Sequence, residues 1–139
     1  MDAFDADVLI YAALSDHELG GRVRALFASV AVGTDDVAGV GSVLLVPELL
    51  SKPLRDASQD ELAYLVGLLG RLDLRPTDVA TAQLAAALGA AHGLRAADAV
   101  HLATAVNAGA TRFITNNSSD FPKSIAEIEV TYPADLPAV

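Results

Sequence analysis

Short apolar runs of strand length alternate along this chain with longer stretches of helical periodicity, and that alternation restricts the fold more than any other feature. Strands separated by helices are satisfied by a mostly parallel sheet with helices packed on it, an α/β sandwich. Residues 3–5 read as a strand that runs into VLIYAAL, a short helix over Val8 to Leu14. Ser15 and Glu18 form a capping box with Ser15 as N-cap. The helix it opens carries Val23, Leu26, Phe27 and Val30 on one face. Gly33 to Asp36 reads as a turn, and Val37 to Val46 contains a strand, a loop and a helix start. Glu48 lies early in the helix that follows Pro47, and Pro53 is expected to end it. Ser58 and Glu61 make a second capping box, opening a helix through Leu69, and Leu72 to Leu74 reads as a short strand. Thr77 is the expected cap of a helix to about Ala91, stopped by Gly93. Ala96 to Ala108 is a further helix, Arg112 to Thr115 a strand, and Ala126 to Thr131 an alternating edge strand.

A chain of 139 residues fits one domain, taken as residues 1–139, and can bury a core without staples. It has no cysteine, which excludes disulfide and thiolate chemistry and fits a reducing cytoplasm. Asp2, Asp5 and Asp7 stand where a signal peptide needs basic residues. Pro47, Lys52 and Gly67 interrupt the longest apolar stretches before they reach membrane-spanning length. A cytoplasmic protein without a membrane segment is the expectation. The net charge of -9 opposes the basic face that nucleic-acid binders present to phosphates. The two are reconciled only if part of the negative charge is a metal site, where bound divalent cations invert the local potential.

Several polar stations interrupt apolar surroundings. Asp5 and Asp7 lie in AFDADVLIYA, Glu48 in LLVPELL and Asp98 in LRAADAVHLATA, while Asn117 and Asp120 follow FIT. A carboxylate in an apolar segment is costly unless it is paired or binds a cation. Converging carboxylates repel one another until a hard cation such as Mg²⁺ or Mn²⁺ takes their oxygens as ligands. Metals held this way serve phosphodiester hydrolysis, which needs an activated water and a stabilised leaving oxygen. In open α/β sheets, sites form beyond the carboxyl ends of the strands. Asp5 ends the first strand and the Asn116 to Asp120 run follows the strand at Phe113, so both are expected at one edge. Each station also has a plain structural alternative. Asp7 can cap the helix at Val8, and Glu48 and Asp98 can be first-turn acids favoured by the helix dipole. His101, three residues after Asp98, is either a proton donor or a buried, satisfied histidine, the second being favoured. His17 and His92 read as surface or helix-end residues. Lys52, Arg55, Arg95, Arg112 and Lys123 are candidate phosphate contacts, or solvated surface charges.

FDADVLIYA, with Asp5, resembles the opening motif of the PIN-domain ribonucleases, and the Glu48 segment is similar to their second motif. LRAADAVHLATAVNAGATRFITNN closely resembles their third and fourth motifs, with Asp98 as the central acid. The resemblance spans about Phe4 to Phe121, and at this length the chain is similar to VapC-type toxins of toxin–antitoxin pairs. It implies a three-layer α/β/α sandwich and an endoribonuclease that uses Mg²⁺ or Mn²⁺. It carries Asp5, Glu48 and Asp98 over as metal ligands, with Asn117 or Asp120 completing the site and Asp7, Thr115 and Asn116 in support. It further implies an RNA substrate, a homodimer and a cognate antitoxin that covers the site. Two positions depart from the family pattern. Asn116 and Asn117 follow Thr115 where the family usually has an Asp two residues on, which removes one charge. Asp7 stands where Asn or Ser is usual. The alternatives are a metal-dependent phosphatase or DNA nuclease on the same acids, or a non-catalytic binding module, which Asn117 and the charge of -9 favour.

Overall fold

A computed structural model of the chain describes residues 1–30 and 36–139. Strand β1 (Asp2–Phe4) leads into helices α1 (Ala6–Ala13) and α2 (Glu18–Ala28), and β2 (Gly39–Ser42) into α3 (Leu45–Arg55) and α4 (Gln59–Leu69). Strand β3 (Leu72–Arg75) is followed by helices α5 (Val79–His92) and α6 (Ala96–Asn107). Strands β4 (Arg112–Ile114) and β5 (Glu129–Thr131) and a 3₁₀ turn (Pro133–Asp135) complete the order. The five strands form one parallel sheet in the order β3-β2-β1-β4-β5. Among the described residues no helix is long and apolar enough to cross a membrane.

Alternation along the strands builds the layers, because successive side chains point to opposite faces. Phe4, Leu72 and Ile114 join one buried cluster with Val8, Leu9, Phe27, Leu49 and Leu65 from α1 to α4. Their neighbours Ala3, Val40, Phe113 and Val130 join a second cluster with Leu88, Leu102 and Phe121. Each fully buried large side chain stabilises the fold by about 1.5–3 kcal/mol, so both faces of the sheet must stay covered. The result is the three-layer sandwich, with α1 to α4 on one face and α5 and α6 on the other.

Several local expectations are corrected. His17, not Ser15, is the N-cap of α2, its Nδ1 accepting from the Gly20 N–H at 3.2 Å. Asp78, not Thr77, caps α5, accepting from the Thr81 N–H at 2.8 Å. Both pairs of polar residues lie within two positions of each other, and the turn geometry chooses between them. Ser58 does sit at the start of α4, but its side chain makes no capping bond. Pro53 lies inside α3, which continues to Arg55. Near a helix end a proline removes little, and the Pro53 carbonyl is satisfied by the Ser58 N–H at 2.9 Å. The expected turn from Gly33 falls almost wholly outside the described residues. Gly93 ends α5 in the left-handed region, at φ 67, as a C-terminal glycine should. Gly20 answers to space instead: a Cβ there would collide with the Tyr11 carbonyl, so α1 and α2 pack closely only because it is absent.

Candidate functional site: an acidic cluster at the carboxyl edge of the sheet

The chain leaves β1 toward β2 on one side, whereas β4 pairs with β1 on the other. Adjacent loops therefore diverge at the carboxyl ends of β1 and β4, the place where open α/β sheets form a crevice. Asp5 leaves β1 at this point, its N–H bonded to the Ile114 carbonyl at 2.9 Å. It is 6% exposed. Its Oδ1 accepts from the Ala6 N–H at 2.8 Å and caps α1, and its Oδ2 accepts from the Thr115 hydroxyl at 2.8 Å. The cap expected of Asp7 is thus made by Asp5. Thr115 is fully buried just beyond β4, and its oxygen also accepts from the Asn117 N–H at 3.1 Å.

Asp7 is in the first turn of α1, where its Oδ2 accepts from the Asn116 N–H at 3.0 Å. Its Oδ1 is sealed from solvent and has no partner among the described residues. Burial, and then the neighbouring Asp5, push its carboxyl up to about 6. Asn116 reaches the Tyr11 hydroxyl through Nδ2 at 3.3 Å, and the Tyr11 ring stacks on His17 with centroids 4.4 Å apart. Asn117 is occupied on both ends. Its Oδ1 accepts from the Ser119 hydroxyl at 3.0 Å and the Asp120 N–H at 3.2 Å, while its Nδ2 donates to Asp120 Oδ2 at 2.8 Å. Asp120 Oδ1 accepts no such bond from a described residue.

Asp98 lies in the first turn of α6, half-buried, and its carboxylate accepts no hydrogen bond from a described residue. Burial raises its pKa above the ordinary carboxylate value; Asp5, Asp120 and Glu48 add to the rise, against the opposing effect of His101. Glu48 stands in the first turn of α3 and meets His101 on α6, with Oε1 and Oε2 at 3.1 and 3.0 Å from Nε2. His101 is 3% exposed, and its Nδ1 has no partner among the described residues. Burial opposes its charge, but the Glu48 hydrogen bond and the fields of Glu48, Asp5 and Asp98 outweigh that and raise its pKa. Histidine at this position is buried, as expected, but not fully satisfied, and its one partner is a candidate site residue. Only its three-residue spacing from Asp98 hinted at this. Tyr11, absent from the expected set, carries no sequence signal beyond its place one turn after Asp7.

Asp5, Asp7, Glu48, Asp98 and Asp120 are therefore close enough to perturb one another, and Thr115, Asn116 and Asn117 fix their surroundings. Apart from the buried His101 Nδ1, the free donors are carboxylate oxygens, the ligand type that hard divalent cations take. Unpaired Asp98, the sealed Asp7 Oδ1 and the raised carboxyls all mark an excess of negative charge that such a cation relieves. Among the described residues no three carboxylates or imidazoles already close around a common metal position. The acids are gathered, and a cation would have to draw them in. The concavities of about 380 Å³ beside Arg75 and Asp78 and of about 420 Å³ between α5 and α6 contain none of these acids. Three of the expected phosphate contacts are engaged elsewhere: Arg112 with Asp2 through two bonds of 2.9 Å, Lys123 with Asp135 at 2.7 Å, and Arg55 with Asp56 at 3.4 Å.

A family model described as PIN domain matches residues 3–124. The fold is similar to that of a toxin–antitoxin complex from Klebsiella pneumoniae, with 20% identity, a TM-score of 0.74, and 96% of this chain and 98% of that chain covered. It is similar to a VapBC complex from Rickettsia felis bound to a DNA fragment from its promoter, at 15% identity, TM-score 0.71, and 94% and 97% coverage. DNA-bound VapBC from Salmonella typhimurium gives 19% identity, TM-score 0.71, and 95% and 97% coverage. No curated protein matches the chain.

Proposed function

We propose that this chain, which belongs to the PIN domain family, is a Mg²⁺- or Mn²⁺-dependent endoribonuclease and the toxin of a toxin–antitoxin pair. The observation that carries the reading is the gathering of Asp5, Glu48, Asp98 and Asp120 at the carboxyl edge, with Asp98 unpaired and its ionisation opposed by the other three. PIN domains are generally nucleases, and divalent metals are their usual cofactors. The structural relatives that are themselves toxin–antitoxin complexes support a cognate antitoxin here.

Asp5, Glu48 and Asp98 would hold the cation. Asp120 completes the set more readily than Asn117, whose carbonyl already accepts two hydrogen bonds. A divalent cation held by these acids would supply the activated water and the leaving-oxygen stabilisation that phosphodiester hydrolysis needs. Thr115 aims Asp5 through the 2.8 Å bond to Oδ2, leaving that carboxylate no freedom to rotate. His101 holds Glu48 through its Nε2, and the Glu48 carboxylate in turn favours the protonated imidazole. A homodimer that works in the cytoplasm as one domain is part of the same proposal.

The test is Asp98→Asn, which keeps the shape and removes the charge. RNA cleavage should be lost while the melting temperature is kept or raised; a variant that cleaves at the wild-type rate refutes the assignment. Parallel trials with DNA and small phosphate esters separate a DNA nuclease or a phosphatase from the proposed activity. A second reading, a PIN-like binding module without catalysis, draws on Asn117 and on the acids that do not yet enclose a metal position. Calorimetry decides it: a module takes up no Mn²⁺.

A further inference from the structure

A cluster of acids can be neutralised by a cation and still repel the phosphates that flank the scissile one. Something basic must hold those phosphates, and a chain of net charge -9 with nine Lys and Arg residues has few to offer. Most are already bound. Besides Arg55, Arg112 and Lys123, Arg75 is paired with Asp73 at 2.7 Å. Arg22, Arg24 and Arg71 are tied to main-chain carbonyls at 2.7–3.2 Å. Among the described residues, Lys52 and Arg95 alone leave their charged groups without a hydrogen-bond or ion-pair partner.

Their places in the fold are not scattered. Lys52 lies on α3 four residues after Glu48, on the same helical face. Arg95 is the residue that leads into α6, three before Asp98. The Glu48–His101 bond brings the two helices together between them. At a rise of about 1.5 Å per residue, Lys52 is about 6 Å along α3 from Glu48, and Arg95 is the N-cap of α6, ahead of the first-turn Asp98. Both side chains are exposed. Each stands one turn from a candidate site acid and pairs with neither, since Glu48 is held by His101 and Asp98 is free.

We propose that Lys52 and Arg95 form a phosphate-binding rim on the acid site and grip the RNA backbone beside the bond to be cut. The inference rests on the endoribonuclease reading and names the residues that make RNA binding possible in an acidic chain. Arg offers a planar fork for one phosphate and Lys a mobile point charge for another. Because such contacts release counterions, they are visible in the salt dependence of binding, which falls with a slope of about 0.7 per contact for single strands.

The experiment uses the full chain on an Asp98→Asn background in Mg²⁺, with a labelled oligouridine as probe and fluorescence anisotropy as readout over a NaCl series. Lys52→Gln and Arg95→Gln should each weaken binding and flatten the salt slope by about 0.7, and the double variant by about 1.4. Lys123→Gln removes the same unit of charge from a cation already paired with Asp135, and should leave the slope unchanged. On the unmodified site, Lys52→Gln and Arg95→Gln should raise KM and leave kcat and Mn²⁺ affinity as they were. If the probe binds and the slopes of Lys52→Gln and Arg95→Gln match their parent, the rim is refuted and the nuclease reading stands. If Lys123→Gln flattens the slope equally, net charge and not location is responsible, and the rim is again refuted. If the parent binds no RNA at any salt concentration, the reading beneath the rim fails, and the rim with it.

Discussion

Asp7→Asn tests the electrostatics of the acid cluster with one atom changed. Asp7 has one oxygen on the Asn116 N–H and the other sealed without a partner. Burial and then Asp5 lift its carboxyl from 3.8 to about 6. A carboxyl raised in the folded state contributes its full stability below its unfolded pKa. That contribution is lost as pH rises through the folded value, so the wild-type chain should weaken between 3.8 and about 6 and level off above. Two pKa units correspond to about 3 kcal/mol, which solvent screening of this half-buried group reduces to about 1–2 kcal/mol. For a domain of this size that is a shift of about 3–6 °C in Tm. The carboxamide cannot ionise, so Asp7→Asn should gain this amount on the wild type across the same interval. Its unpaired N–H is a constant offset, and Asp98, raised in the same sense, leaves a residual slope in both proteins. Thermal melts of the two proteins against pH, with and without Mn²⁺, give the answer. The gap should open as pH rises through that interval and narrow when Mn²⁺ is added, because a cation stabilises the ionised cluster. Parallel curves throughout would refute the claim that Asp7 is held against its charge, and a gap indifferent to Mn²⁺ would refute the placing of the cation among these acids.

The packing makes further predictions. Thr115→Val keeps the shape of a fully buried side chain and removes the hydroxyl that bonds Asp5; the unfolding free energy in urea should fall by about 1.5–3 kcal/mol. A loss within experimental error would mean that the Thr115–Asp5 bond does not hold the carboxylate. Gly20→Ala drives a methyl into the Tyr11 carbonyl and should prevent the α1–α2 pair from closing, read as a collapse of expression or of Tm. Gly67→Ala, also inside a helix but with nothing near its added carbon, should instead stabilise by about 0.5–1 kcal/mol. If the two glycines respond alike, close helix approach is not what Gly20 provides.

Outside residues 37–46, where the division into strand, loop and helix start stayed open, which segments become helices and strands was legible because hydrophobic periodicity is a local property. Val23 and Phe27 on α2, or Phe113 and Ile114 on β4, declare their faces within a few residues. Caps were less legible, since Ser15 and His17, or Thr77 and Asp78, are neighbours of similar capacity and only the path of the turn selects one. The candidate acids stand out for a local reason too: a carboxylate amid alanine and leucine is costly wherever it lies, so Asp5, Glu48 and Asp98 are marked by the sequence itself. Their meeting is another matter. The Asp5–Thr115 bond joins residues 110 apart and the Glu48–His101 bond residues 53 apart, and no periodicity encodes such a distance. Strand order does that work. By seating β4 against β1 on the side away from β2, the sheet opens its carboxyl edge where Asp5 and Thr115 emerge. The chain alone thus determined which residues bear charge in apolar company. The fold decided which of them come within electrostatic reach of one another, because that coupling depends on separation in space and not along the backbone.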